Sequence, residues 1–410
     1  MVCLVAVGCG LPVEVAPGEG EPAEGEVGAI SEALRCYDTN GNPVDDPNCP
    51  WRNGWSRLLP YNNQDISHRM APALCASDTG GWLTVSIDTT NRYHVLQWLS
   101  VGSQPRSPSW AVYGQYRTWH SKPACAMREK IEIDDDVWVG GFVIAGKLRS
   151  NDADNNKIFA SPGRMALVTS VGLTDNPVYE QAFQAVSNDV YTTGGHPAMS
   201  SYFDELDGPE GSGAVVLTFM GDDLRTIYAH TRKLPYTDPE SVWSPRIKGP
   251  TLPSGWEVVG APTITRLPMT FHIVVHARKG PLSLLFETHF FVHGGIIGHF
   301  SSGIGSPESK WKVVPILGTI DGEPWLTYES SNVGETVYFR RGTEIVHTSG
   351  FPLGVNPVAA VRPDTGIAFD SAPAATAGLA FDQGTHIVIG RTTSNRLYWI
   401  ESNSSTWVGP

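Results

Sequence analysis

Three kinds of residue in this chain have types and spacings that can do chemistry: oxygen ligands, cysteines, and arginines beside aromatic rings. Asp38, Asn40 and Asn42 stand at alternate positions in C-Y-D-T-N-G-N-P. Carboxylate and amide oxygens so spaced suit a hard cation, and calcium is the cofactor they would imply. Pro43 stands where a calcium loop has its turn glycine, and Cys49 where it has its closing glutamate. An ordinary Asx-rich turn is therefore the competing reading, and no other cofactor is implied. Cys36 and Cys49 flank the same loop and read as a disulfide in an exported protein. Cys75 and Cys125 hold equivalent places in two repeats, either as a disulfide or as two buried thiols. Asn91-Arg92-Tyr93 and Asn395-Arg396-Leu397-Tyr398-Trp399 repeat an Asn-Arg turn followed by aromatic residues. Such arginines are either donors in exposed turns or covers over packed rings.

The histidines do not read as a metal centre. His272 and His276 are four apart in a strand-like run, as are His289 and His293. On a strand that spacing shares a face but separates the rings by roughly 13 Å, too far for one ion; His299 is placed to meet His293 across a loop. Asp134-Asp135-Asp136 reads as a solvated turn, with a cation-binding turn as the alternative. No phosphate loop, nucleophile elbow or Cys-x-x-Cys pair is present.

The elements that must position these residues are repeated. The last copy opens at Ala372-Pro373, continues with H-I-V-I-G-R from His386, turns, and runs through Leu397–Ile400 to a closing Trp407. The same order starts at Ala71-Pro72 and closes at Trp110. Further openings read Lys122-Pro123, His196-Pro197, Ala261-Pro262 and Val314-Pro315. Short apolar runs rich in Val, Ile, Leu, Thr and aromatics are strands, and proline suits a first strand residue. Steps of 51 to 74 residues between openings match propeller blades. The expected fold is all-β, a β-propeller of six to seven four-stranded blades; the seventh would hide in the longest step, between Pro162 and Asn188. A strand from residues 51–60 would complete the last unit and close the ring. The tryptophans are expected to fill the wedges between blades.

Ahead of the propeller, assigned to 51–410, the chain divides into three further parts. Residues 1–9 are apolar and end in Gly8-Cys9, which resembles a bacterial lipoprotein signal with Cys9 as the lipidated residue. The basic segment expected before such a run is missing. Residues 10–35 form an acidic, Gly- and Pro-rich linker expected to be disordered, and 36–50 form the cysteine loop. Six glutamates of the linker carry part of the formal charge of −13, leaving about −7 elsewhere. No basic stripe is visible, which excludes nucleic acid as a main partner. The expected place is outside the cytoplasm, either lipid-anchored in the cell envelope, with the membrane as a partner, or extracellular.

The repeated Pro-Ala opening, the N-R-L-Y-W third strand and the S-x-W ending resemble bacterial propeller lectins of the fucose-binding type. More distantly they resemble sialidase-type propellers. The resemblance to the lectins implies binding of a glycan or cell-surface polysaccharide, with Arg92, Tyr93, Arg396, Tyr398 and Trp399 as ligand-binding candidates. Aromatic rings would stack on the sugar and arginines would satisfy its hydroxyls. The sialidase resemblance implies a glycoside hydrolase. Arg266, Arg278, Arg340, Arg341 and Glu401 supply the residue types, but the F/Y-R-I-P segment of that family is missing, so the reading leans away from an enzyme. A cell-surface protein-interaction scaffold is the third reading, because fold does not fix function.

Overall fold

The computed structural model describes most of residues 55–402, leaving out short stretches between strands, together with Cys36–Tyr37 and Pro43–Val44. The chain divides into two compact units, Met1–Gly54 and Trp55–Pro410. In the first, Cys36–Tyr37 pairs antiparallel with Pro43–Val44. Cys9, Asp38, Asn40, Asn42, Cys49 and the side chain of Cys36 lie outside the described residues, and so do the calcium and Cys36–Cys49 disulfide readings that rest on them.

The described part of the second unit is all β, and its strands form six blades. Their innermost strands are Ala73–Ala76, Ala124–Asp134, Ala198–Phe203, Thr263–Leu267, Asp321–Ser330 and Ala374–Ala377. Each contacts the next around the ring, and the sixth contacts the first. Every blade then runs outward through antiparallel neighbours. The third blade shows the plain pattern: Ala198–Phe203, Gly213–Met220, Thr226–Lys233, Ile247–Thr251.

Local composition explains the order. The second strand of a blade has a neighbouring blade on each face, so it must be apolar on both. Gly213–Met220 reads G-A-V-V-L-T-F-M and is buried throughout. The core is divided accordingly into apolar clusters at the seams between blades. Ala73, Leu83 and Val85 meet Cys125, Phe142 and Ile144 at the first seam; Ala198 and Val216 meet Ile264 and Phe271 at the third. Trp55 and Trp119 are buried in such seams, at 4% and 0% exposure.

Ring closure uses the expected strand. Ser56 and Arg57 pair with Trp399 and Tyr398 of the sixth blade, and the Leu58 N–H donates to the Leu397 carbonyl at 2.8 Å. A seventh blade is absent among the described residues. The stretch after Pro162 belongs to the second blade instead, where Val178–Tyr179 and Gln184–Ala185 pair with Ile158–Arg164. A small hairpin, Val168–Thr169 with Gly172–Leu173, lies between them in sequence. The fifth opening also moves. Pro315 follows Lys312–Val314, which pairs with the fourth blade, and Pro324 lies on the innermost strand of the fifth.

Cys75 and Cys125 form a disulfide between the innermost strands of the first two blades, with α-carbons 5.9 Å apart. A bond needs α-carbons within about 7 Å, and the innermost strands of these two blades are in contact. Asp134 is the last residue of its strand and pairs with Val137; Asp135 and Asp136, and the turn reading that rests on them, lie outside the described residues. His293 pairs with Ile297 and His299 with Phe291, on which its ring stacks at 5.4 Å, so the backbone register does not place His299 opposite His293.

Candidate functional site

With the fifth opening corrected, one residue precedes the first proline of every blade: Ala71, Lys122, His196, Ala261, Glu323 and Ala372. Five stand two residues before an innermost strand and Glu323 is the third residue of its own, so the six lie at one end of the ring of innermost strands, the mouth of the channel. Three are alanine and three are ionisable. The Lys122 ammonium pairs with Glu323 Oε2, joining the second blade to the fifth. Glu323 Oε1 also accepts the Ala261 N–H of the fourth blade at 2.9 Å. Gly260, at φ +79°, makes room for this: a Cβ there would collide with the Glu323 side chain.

His196 is held by a braced loop. Asp222, on the turn between the second and third strands of the third blade, accepts the N–H groups of Thr192, Thr193 and Gly194 at 3.0, 3.0 and 2.9 Å. Burial pushes the Asp222 carboxyl up, but these bonds outweigh it and its pKa falls below the ordinary value. Lys147 donates to the carbonyls of Gly194 and Thr192 at 2.8 and 3.2 Å. Burial lowers the Lys147 pKa, against the pull of Asp222. Burial also lowers that of His196; Glu323 opposes this, and Lys147, Lys122 and His120 add to it. The His196 imidazole is therefore neutral at pH 7, with one donor and one acceptor nitrogen.

Beneath the ring lies Trp325. Two residues after the ring position, the other blades have Ala73, Ala124, Ala198, Thr263 and Ala374. Small side chains let innermost strands approach; the fifth blade alone places an indole there. Trp325 is half-buried and packs against three apolar clusters, at the fifth, sixth and first seams. One side chain reaches all three only from the axis, where the blades converge. Lys122 Nζ stands 5.3 Å from the centre of its ring. The mouth therefore has an aromatic floor, an ammonium, a carboxylate and an imidazole.

The sequence-predicted candidates lie elsewhere on this face, at the seam of the sixth and first blades. Arg92 and Arg396 are half-buried on turns between second and third strands. Arg92 Nε donates to Thr90 Oγ1 at 3.0 Å, and Arg396 Nη1 donates to Ser67 Oγ at 2.5 Å. The aromatic candidates are packed. Tyr93 has 0% exposure, with its ring 4.9 Å from Trp119 and 5.3 Å from Phe183, and burial raises its pKa well above the ordinary value. It presents no face for stacking. Tyr398 and Trp399 are half-buried, opposite the closing strand, each against a seam cluster. The two arginine turns are neighbours across one seam, not separate copies spread around a rim.

Lys122, His196, Glu323 and Trp325 were missed by sequence reasoning. The signal was the residue before each opening proline; placing the fifth opening at Pro315 removed Glu323 and Trp325 from the alignment.

The opposite end of the blades holds a second polar cluster. His272 is fully buried between Glu335 of the fifth blade and Glu287, its Nε2 3.2 Å from Glu287 Oε2, with the His289 ring stacked on it at 4.5 Å. Burial lowers the His272 pKa, but hydrogen bonds to Glu287 and Glu335 outweigh it and hold it at about 9. Among the described residues no group of three or more His, Cys, Asp or Glu is arranged to hold a metal ion.

No family model matches this chain, and no curated protein does. Solved structures match in fold. The fucose-specific lectin from Aleuria aurantia aligns over 84% of this chain and 100% of its own, with TM-score 0.51 and 10% identity. An α-L-arabinanase of Penicillium chrysogenum complexed with arabinobiose aligns over 85% and 97%, with TM-score 0.52 and 11% identity. The GH93 α-L-arabinofuranosidase of Fusarium graminearum, also complexed with arabinobiose, aligns over 85% and 97%, with TM-score 0.51 and 10% identity. At such identity these likenesses establish a shared propeller fold.

Proposed function

We propose that this protein binds carbohydrate, without cleaving it, at the mouth of the propeller channel. The observation that carries the reading is Trp325 where the innermost strands converge, beside the Lys122 ammonium that pairs with Glu323, with His196 within electrostatic reach of both charges. An indole offers an apolar face to a sugar ring, and donors and acceptors around it match hydroxyls. The lectin and the two arabinose-processing enzymes that share the fold support this choice of ligand class.

The hydrolase reading needs two carboxylates, separated by about 5–5.5 Å for retention or about 6.5–9.5 Å for inversion. Glu323 is the single carboxylate among the six ring positions, and it is engaged with Lys122 and the Ala261 N–H. That arrangement favours binding over cleavage. The test is glycan binding by the full chain alongside Glu323→Gln and Trp325→Leu. Both variants should lose about tenfold or more in affinity, the cost of a lost charged hydrogen bond or a lost stacking surface. Unchanged binding by both would overturn the reading, and release of free sugar by the parent chain would replace it with the hydrolase.

Export belongs to the same proposal. A disulfide between Cys75 and Cys125 suits an oxidising compartment, and Cys9 would carry the lipid that anchors the propeller to a membrane. Metabolic lipid labelling should tag the protein and be lost in Cys9→Ala; labelling that survives the substitution would remove the anchor from the account.

A further inference from the structure

The turns bearing Arg92 and Arg396 come from opposite ends of the sequence, and ring closure makes them neighbours. The segment Ser67-His68-Arg69 threads between them. The His68 N–H donates to the Asn395 carbonyl at 2.8 Å, and the Thr89 N–H to the Ser67 carbonyl at 3.0 Å. Side chains fasten the same segment on both flanks. The Arg69 guanidinium donates to Asn91 Oδ1 at 2.5 Å, and Arg396 to Ser67 Oγ at 2.5 Å. Arg391 donates to the Arg69 carbonyl and, through Nε, to Asp370 Oδ1 at 3.1 Å.

Four half-buried guanidinium groups are thus gathered on one seam of a chain whose formal charge is −13. The carboxylates described beside them are engaged. Asp370 pairs with Arg391. Asp88 accepts the N–H groups of Thr90 and Arg92 at 2.7 and 2.9 Å and pairs with His94 at 2.7 Å. The surroundings of His68 agree: burial first, then His94, hold its pKa down at about 3, with Arg396 and Arg391 pushing the same way against Asp88.

We propose that this seam binds the anionic groups, carboxylate or sulfate, of an acidic polysaccharide. Guanidinium forks match both groups through paired hydrogen bonds, and their weak hydration lets them shed water for such contacts. Several guanidiniums along one seam suit a polymer with repeated charges better than a single small anion, because each added contact is an intramolecular step. The inference rests on the carbohydrate-binding reading, but uses residues separate from the channel mouth.

The experiment compares binding of the full chain to immobilised polygalacturonate, dextran sulfate and neutral dextran. Carboxylate recognition appears on the first polymer and sulfate recognition on the second. The chain should bind at least one acidic polymer about tenfold more tightly than dextran, and added salt should weaken that binding, since ionic contacts release counterions. Arg92→Gln combined with Arg396→Gln should lose about tenfold on the acidic polymer, flatten the salt dependence and leave binding of neutral glycans at the mouth unchanged. Should the double variant fail to fold, Arg92→Gln alone decides, with an expected loss of about threefold. Equal binding to acidic and neutral polymers, or variants that bind like the parent, would overturn the seam and leave the mouth standing. Absence of binding to any glycan would overturn both.

Discussion

Glu323 is the residue on which the mouth depends. It ties together three blades, through its own backbone, the Ala261 N–H and Lys122. Its position requires Gly260, whose φ of +79° and open Cβ side no other residue would tolerate without moving the carboxylate. Gly260→Ala should therefore act at a distance. It should lower stability by about 1–2 kcal/mol for the left-handed backbone and reproduce the binding loss of Glu323→Gln. Thermal melting and glycan titration on the same variant check this; full binding by Gly260→Ala would mean that Glu323 does not set the mouth. Arginine at the Asn-Arg turns was legible from sequence because turn residues stay on the surface. The role of Tyr93 was not, because a strand's first aromatic residue looks alike whether it faces solvent or a seam. Lys122, His196 and Glu323 hid for another reason: the proline that follows each marks its place in a blade, but they come from three blades, and nothing local marks which of them meet when the ring closes.

At the scale of elements, closure rests on a short pairing. Ser56 and Arg57 supply the pairing with the sixth blade, while Trp55 and Leu58, each 4% exposed, plug the seams on either side. Leu58→Ala should cost about 2–5 kcal/mol, the range for a buried leucine, and chain lacking residues 55–58 should melt at a much lower temperature. An unchanged midpoint would show that the ring closes without this strand. The Cys75–Cys125 bond spans 50 residues, so replacing both cysteines by serine should cost about 4 kcal/mol by loop entropy. Chemical denaturation of the double variant measures this. Strand identity was readable in the sequence wherever runs such as G-A-V-V-L-T-F-M must be apolar on both faces. Blade number was less so. The excess length after Pro162 is spent on outer strands of the second blade, and outer strands of two residues carry no periodicity to read.

The whole molecule should show its electrostatics as a pH optimum. His272 has a raised pKa, near 9, so its contribution is complete below the ordinary value of 6.5 and is lost as pH climbs through about 9. His68, His276 and His289 are held down at about 3, 4 and 4, chiefly by burial. Their contribution is complete above 6.5 and is lost as pH falls toward those values. Asp88, Asp222 and Glu287, with lowered pKa values, weaken the fold further in acid. Melting temperature should therefore peak near pH 6.5, with the acid limb steeper, and Glu335→Gln should flatten the alkaline limb. A midpoint that keeps rising through pH 9 would contradict the assignment of a charged His272. The most direct test of the central claim is a glycan array read for both bound protein and released sugar, with the full chain and Trp325→Leu in parallel. Saturable binding, no released sugar, and loss of the signal in Trp325→Leu are expected. Released sugar, or silence across the array from a folded chain, would contradict that claim.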